Sequence, residues 1–254
     1  MANQLQQENV TIKKNRHFLE RGPYITAKKS QQNASKDNIA KYVAEELVED
    51  FDAVLLDAGS TAELIAQNLF TSRKFLTVMT NNMGAYVSYT QAVAKSEQSK
   101  IVQEQADAPQ LVAGLLNENE LILTGGRFDV TYEALFGDTT LASIQSFSPN
   151  VTIIGVSGLM YDDGAFCHGS EEVRLKRTLW KIKTDKRVIA ADWRKIGNRD
   201  AFAFGENIAE LKVGANRAII VTNRPPENAD AKLREQFDNE IELIKKQGIE
   251  VEQR

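Results

Sequence analysis

The segment Ala53-Val54-Leu55-Leu56-Asp57-Ala58-Gly59-Ser60-Thr61-Ala62 decides how this chain is read. Its first four residues form a continuous apolar run, too short for a helix, which reads as a strand buried on both faces. Asp57-Ala58-Gly59 ends the run in a loop, and a helix follows from about Thr61. A glycine turn between a buried strand and a helix exposes backbone N–H groups at the positive end of the helix dipole. Here Ser60 and Thr61 add two hydroxyls. Such a place attracts phosphate. The same hydroxyls also suit a plain helix cap, and the two readings are compatible.

Outward from this segment the same alternation repeats. Upstream, Ile39, Val43 and Leu47 recur at helical spacing beside Ala40 and Ala44, while Lys41, Glu45, Glu46 and Glu49 face away, which predicts an amphipathic helix from about Ser35. Downstream, apolar runs predict strands at 76–79, 121–123, 151–156, 188–191, 218–221 and 249–251. Helices are predicted from about Met83, from Ser170 to about Lys183, and from about Asn228 to Lys246. Strands separated by helices imply an α/β fold, a mostly parallel twisted sheet with helices on both faces. Ligands then bind at the carboxyl ends of the strands. Residues 1–35 are polar and read as an arm without a core of its own, and 36–254 form the main domain. The stretch 95–120 carries Pro109 and is predicted to be a helical insertion or an excursion from the sheet.

Composition narrows the function classes. With 254 residues, 42% of them hydrophobic, the chain has material for one large α/β domain. A net charge of −4 argues against a polyanion-binding surface spread over the molecule. One cysteine, Cys167, forbids an intrachain disulfide and fits a reducing compartment, so a cytoplasmic location is expected. No apolar run approaches the roughly 18 residues of a membrane span, and the polar N-terminus lacks the apolar core of a signal peptide.

Further candidates sit at other strand ends. Thr80-Asn81-Asn82 offers hydroxyl and amide groups suited to sugar hydroxyls, or simply a turn. Gly125-Gly126-Arg127 would let backbone approach a ligand while Arg127 supplies a forked cation. Between Arg174 and Arg199 ten cations face only Asp185 and Asp192, and Asp192-Trp193-Arg194-Lys195-Ile196-Gly197 puts Lys195 at a strand end where an anion would be welcome. A solvated helix face accounts equally for many of those charges. Cys167-His168 has no second cysteine or histidine cluster to make a metal site, and the P-loop, zinc-protease and nucleophile-elbow motifs are absent. No catalytic residue, metal ligand or cofactor is expected.

Taken in order, the segments resemble the effector-binding domain of the DeoR family of bacterial transcription regulators. The resemblance runs from about Ser35 to Thr222 and rests on five pieces. These are Leu56-Asp57-Ala58-Gly59-Ser60-Thr61; Thr80-Asn81-Asn82; Thr124-Gly125-Gly126-Arg127; Gly155-Val156-Ser157-Gly158-Leu159 with the Glu171–Arg177 helix; and the Asp192–Gly197 loop. It implies a fold like that of ribose-5-phosphate isomerases and coenzyme A transferases, and a phosphorylated sugar or related metabolite as ligand. Gly59, Ser60 and Thr61 would then hold the phosphate, with Asp57, Asn81, Gly125, Gly126, Arg127, Ser157, Glu171, Lys176, Asp192 and Lys195 lining the rest.

Two departures qualify the resemblance. The residues before the first core helix are too few for the family's winged helix-turn-helix, so direct DNA binding by this chain is not expected. The 95–120 segment is also longer than the family pattern. Self-association into a homo-oligomer is expected of such a sensor. The competing reading is an aldose–ketose isomerase on a sugar phosphate. It needs a base beside the carbonyl, and the Gly155-Val156-Ser157-Gly158 loop carries no acid, although Asp57, Asp162, Asp163, Glu171 or Asp192 are available. A coenzyme A transferase would need a presented glutamate nucleophile, which is not identified.

Overall fold

Ile39, Ala40, Val43, Ala44 and Leu47 are all buried. In the computed structural model, which describes residues 33–104 and 119–254, they lie on helix α1 (Asn33–Tyr42) and the π-helical turn that continues it (Val43–Leu47). From β1 (Ala53–Leu56) the chain runs through α2 (Ser60–Ser72), β2 (Thr77–Thr80), α3 (Met83–Glu104) and β3 (Glu120–Leu123). A hairpin of β4 (Arg127–Asp129) and β5 (Ala134–Phe136) and the short α4 (Asp138–Gln145) lead to β6 (Val151–Gly155). Then come β7 (Gly158–Met160), β8 (Gly164–Cys167), α5 (Ser170–Lys181), β9 (Thr184–Ala190) and a 3-10 turn (Trp193–Lys195). A short β10 (Phe202–Ala203), a second 3-10 turn (Ile208–Lys212), β11 (Ala215–Thr222), α6 (Ala231–Lys246) and β12 (Glu250–Gln253) complete it.

Seven of these strands form one sheet in the order β12-β11-β9-β6-β1-β2-β3, and every neighbouring pair is parallel. Side chains alternate between its faces, as strand geometry requires. Val54, Leu56, Val78, Ile153 and Val188 pack with α1, α2 and α3 on one face. Leu55, Met79, Ile154, Ile189 and Ile220 pack with α4, α5 and α6 on the other. Covering both faces makes each central strand apolar throughout, which is why they read as continuous runs.

The strand order also locates a crevice. From β1 the chain steps outward through β2 to β3, then returns to the other side of β1 with β6 and steps outward through β9, β11 and β12. The order therefore reverses between β1 and β6. In open parallel sheets ligands bind at such a switch point, beyond the carboxyl ends of the strands, because the connections there leave in opposite directions and open a gap.

Arg187 on β9 is buried and is not part of that gap. Its guanidinium donates to the carbonyls of Leu211 (2.7 Å), Val213 (2.8 Å) and Ile182, tying the second 3-10 turn and the end of α5 to the sheet. Burial lowers its pKa to about 10.

Of the 95–120 segment, residues through Glu104 continue α3, and Asn119 anchors the return. The Asn119 side chain accepts from the Leu76 N–H (2.9 Å) and donates to the Arg73 carbonyl (2.9 Å). The remainder of that segment, 105–118, and residues 1–32 of the polar arm lie outside the described residues.

Candidate functional site

Three adjacent strands end side by side at the switch point. The segment after β1 brings Asp57 to Thr61, that after β6 brings Val156 and Ser157, and that after β9 brings Ala191, Asp192 and Lys195. The cleft between them is walled by Glu172, Leu175 and Lys176 of α5, by Tyr132 and Phe136 of the hairpin, and by Lys36 of α1.

Gly59 is the N-cap of α2, with φ of 132°, a conformation L side chains rarely adopt, and a Cβ placed there would meet no atom within 4 Å. The loop therefore opens directly onto the cleft. The first intrahelical bond runs from the Glu63 N–H to the Gly59 carbonyl (3.0 Å), so the amides of the first turn have no intrahelical acceptor. Asn82 props the loop: its Nδ2 donates to the Gly59 carbonyl (3.3 Å) while its Oδ1 accepts from the Gly84 N–H (2.8 Å) at the start of α3. Ser60 Oγ accepts from the Lys36 ammonium (3.2 Å). Burial lowers the pKa of Lys36; Asp192 opposes this, while Lys195 and Arg194 add to it.

Asp57 is 1% exposed and fully engaged. Oδ1 accepts from the Ala58 N–H (2.8 Å), and Oδ2 accepts from the Gly155 N–H (3.0 Å) and from the Lys176 ammonium. Lys176 also donates to the Gly155 carbonyl (2.7 Å) and stands 3.7 Å from Glu172 Oε2. Burial alone would depress the Lys176 pKa, but Asp57 and Glu172 outweigh it and the net direction is upward, so Lys176 is a cation held between carboxylates. Glu172 accepts from the Gly169 N–H (3.0 Å) at the start of α5. Asp192 accepts from the Arg194 N–H (3.2 Å) and pairs with its side chain (3.3 Å), capping the turn that carries Lys195.

The acid–base inventory is quiet. Burial and Glu172 push the Cys167 thiol up to about 12, and burial with the same glutamate pushes the Tyr132 phenol to about 12, so neither is a nucleophile near neutrality. Burial would raise the Asp200 pKa, yet hydrogen bonds from Ser157, the Ala201 N–H and His168 hold it below the usual carboxylate range. Among the described residues no group of three or more His, Cys, Asp or Glu is placed to hold a metal ion. What the cleft offers is three lysines, three carboxylates, hydroxyls and the first-turn amides of α2, groups that can hydrogen-bond a small polar ligand.

A family model for the DeoR C-terminal sensor domain matches residues 31–103 and 108–212. The chain belongs to the DeoR family. Relatives of this DeoR sensor domain include the HTH-type transcriptional repressor GlcR of Bacillus subtilis, 26% identical over 82% of this chain and 66% of that protein. The glycerol-3-phosphate regulon repressor of Escherichia coli K12 is 26% identical over 78% of this chain and 66% of its own length. The chain spans about half to two thirds of the length of the curated relatives it matches. Among solved structures, a ribose 5-phosphate isomerase A from Methanocaldococcus jannaschii is similar at 14% identity, covering 63% of this chain and 52% of that one with a TM-score of 0.36.

Of the residues singled out from sequence, the DeoR domain brings Asp57, Gly59, Ser60, Thr61, Ser157, Lys176, Asp192 and Lys195 to the cleft. Asn81, Gly125, Gly126, Arg127 and Glu171 are not among its lining residues. Asn81 Nδ2 donates to the Leu135 carbonyl (3.1 Å) and fixes the hairpin. Arg127 is exposed and pairs with Glu171 (3.3 Å) and Asp129 (3.6 Å). Gly125 and Gly126 close β3, which is two strands from the switch point and so about 10 Å along the sheet from β1. Sequence reasoning passed over Lys36, Tyr132 and Glu172. Lys36 carried a legible signal: it falls in step with Ile39, Ala40 and Val43, a cation inside an apolar stripe. Glu172 is in step with Leu175, Lys176 and Leu179 in the same way.

Proposed function

We propose that this DeoR sensor domain binds a small phosphorylated sugar or related metabolite at the switch point, its phosphate on the Gly59-Ser60-Thr61 turn and its hydroxyls toward Ser157, Asp192 and the hairpin. The observation that supports it best is the convergence on one helix N-terminus of Lys36, Lys195 and the open Gly59 loop. A relative named a glycerol-3-phosphate regulon repressor is consistent with a ligand of this size and charge. The domain acts without a cofactor, as part of a cytoplasmic homo-oligomeric regulator. Residues 1–32, on which the expectation about DNA rests, are outside the described residues; an electrophoretic mobility shift on promoter DNA tests it directly.

The test of the pocket is a thermal-shift screen of sugar phosphates against the same unphosphorylated sugars and inorganic phosphate. Ligand at about 100 times its dissociation constant adds ~2.7 kcal/mol of stability. One sugar phosphate should raise the melting temperature, and Thr61→Val or Lys195→Met should abolish the rise. No rise with any phosphorylated compound would sink the reading.

The isomerase alternative has one observation in its favour, the three carboxylates that line the cleft, Asp57, Glu172 and Asp192. Glu172 is engaged by the Gly169 N–H and Lys176, Asp192 by Arg194, and Asp57 is wholly engaged, so binding without turnover is the better-supported reading. Steady deuterium uptake from heavy water beside the carbonyl of a bound sugar phosphate would reverse that order.

A further inference from the structure

We propose that Lys36 couples occupancy of the cleft to the docking of helix α1, acting as the arm that carries the ligand's presence to the N-terminal element of the sensor domain. The inference rests on the reading of the cleft as a phosphate site. Lys36 is the lining residue that comes from α1; the others come from strand-end loops, α2, α5 and the hairpin. It stands one helical turn before Ile39 and Ala40 on the stripe by which α1 packs on α2, and its ammonium reaches Ser60 Oγ at the start of α2 (3.2 Å). An anion seated on that turn would lie against the same hydroxyl.

The charges around Lys36 give the coupling its sign. Lys195 and Arg194 on the turn after β9 repel it, Asp192 from that strand end attracts it, and Asp192 is already capping Arg194. Across the cleft, Lys176 of α5 is paired with Asp57, just after β1, and with Glu172 of its own helix. Lys36 is thus a buried cation that Asp192 and the Ser60 hydroxyl hold and that Lys195 and Arg194 repel. A phosphate between Lys36 and Lys195 would add an attraction to each of them and offset their mutual repulsion. Occupancy then holds α1 more tightly against α2, and an effector acts by such unequal affinity for two states.

Hydrogen–deuterium exchange with inorganic phosphate as probe, on the whole chain, tests this. In the parent protein saturating phosphate should slow exchange at both 58–63 and 33–42. Lys36→Met, which keeps the apolar stem, should weaken phosphate roughly tenfold or more. At saturation it should still slow 58–63 but no longer 33–42. Lys36→Arg, which keeps the charge, should retain the effect at 33–42, guarding against a folding defect as the explanation. The coupling is wrong if Lys36→Met still shows slowed exchange at 33–42, or if the parent protein responds at 58–63 alone. A parent protein that responds at neither segment overturns the coupling as stated for phosphate, while the site itself falls only if the sugar phosphates of the thermal-shift screen also fail.

Discussion

Asp57 and Lys176 meet where β1, β6 and α5 join, and both are almost fully buried. The pair is therefore a staple before it is a ligand contact. Removing one partner leaves a buried charge without compensation, which typically costs 3–5 kcal/mol. Lys176→Met should lower the stability measured by urea unfolding by about that amount, and Asp57→Asn in the same chain should recover part of the loss. Lys36 gives a second expectation, in pH. Burial lowers its folded pKa below 10.5, while Asp192 from the loop after β9 opposes and Lys195 and Arg194 from the next turn reinforce the shift. Between the lowered value and 10.5 the unfolded chain binds more protons, so stability rises with pH across that window and is lost as pH falls through the folded pKa. The difference in urea midpoint between the parent and Lys36→Met should grow in the parent's favour as the pH climbs through it. A flat difference would mean that Lys36 is not the buried cation described above.

Among the elements, the entry to the hairpin β4–β5 makes a sharp demand on sequence. Gly126 sits at φ 109°, and a Cβ there would lie 2.3 Å from Thr140 Oγ1 and 2.6 Å from the Phe136 carbonyl. Gly126→Ala combines backbone strain with a clash against the main chain, and a loss of about 1–3 kcal/mol in chemical denaturation is expected. Gly59→Ala carries the strain alone, because nothing lies within 4 Å, and should cost less while narrowing the mouth of the cleft. The paired glycines of 125–126 were visible as special positions; that their purpose is packing on α4 was not, because strand order is invisible in a linear reading. The central strands were legible because burial on both faces makes them uniformly apolar. β7, β8 and β10, which pair antiparallel away from the main sheet, were not, because two to four residues give too short a period. The turn after β1 was legible from strand, glycine and helix in succession. Lys36 was legible as a cation in step with the apolar stripe of α1, and what the linear pattern does not carry is that the stripe meets the start of α2 at Ser60.

For the whole molecule, the ten cations between Arg174 and Arg199 turn out to be dispersed. Arg187 is in the interior, Lys176 and Lys195 face the cleft, and Arg174, Lys186 and Arg199 pair with Asp138, Glu49 and Asp163. That distribution leaves cationic groups at the cleft without a broad basic surface, in keeping with a net charge of −4. Homo-oligomer formation belongs to the same scale. Light scattering should give a mass above that of one chain, and a monomer at every concentration and ligand state would count against a sensor that works through assembly.

The seam between β1 and β6 has a temporal meaning as well. It is joined by three register pairs and by a side-chain bond from Asp57 to Gly155 that spans 98 residues of chain. Contacts of such separation close late and limit how fast a chain refolds. An anion bound astride that seam meets its complete receptor only after the seam has closed. It should therefore lengthen the lifetime of the native state by slowing unfolding, and leave the refolding limb of a chevron plot where it was.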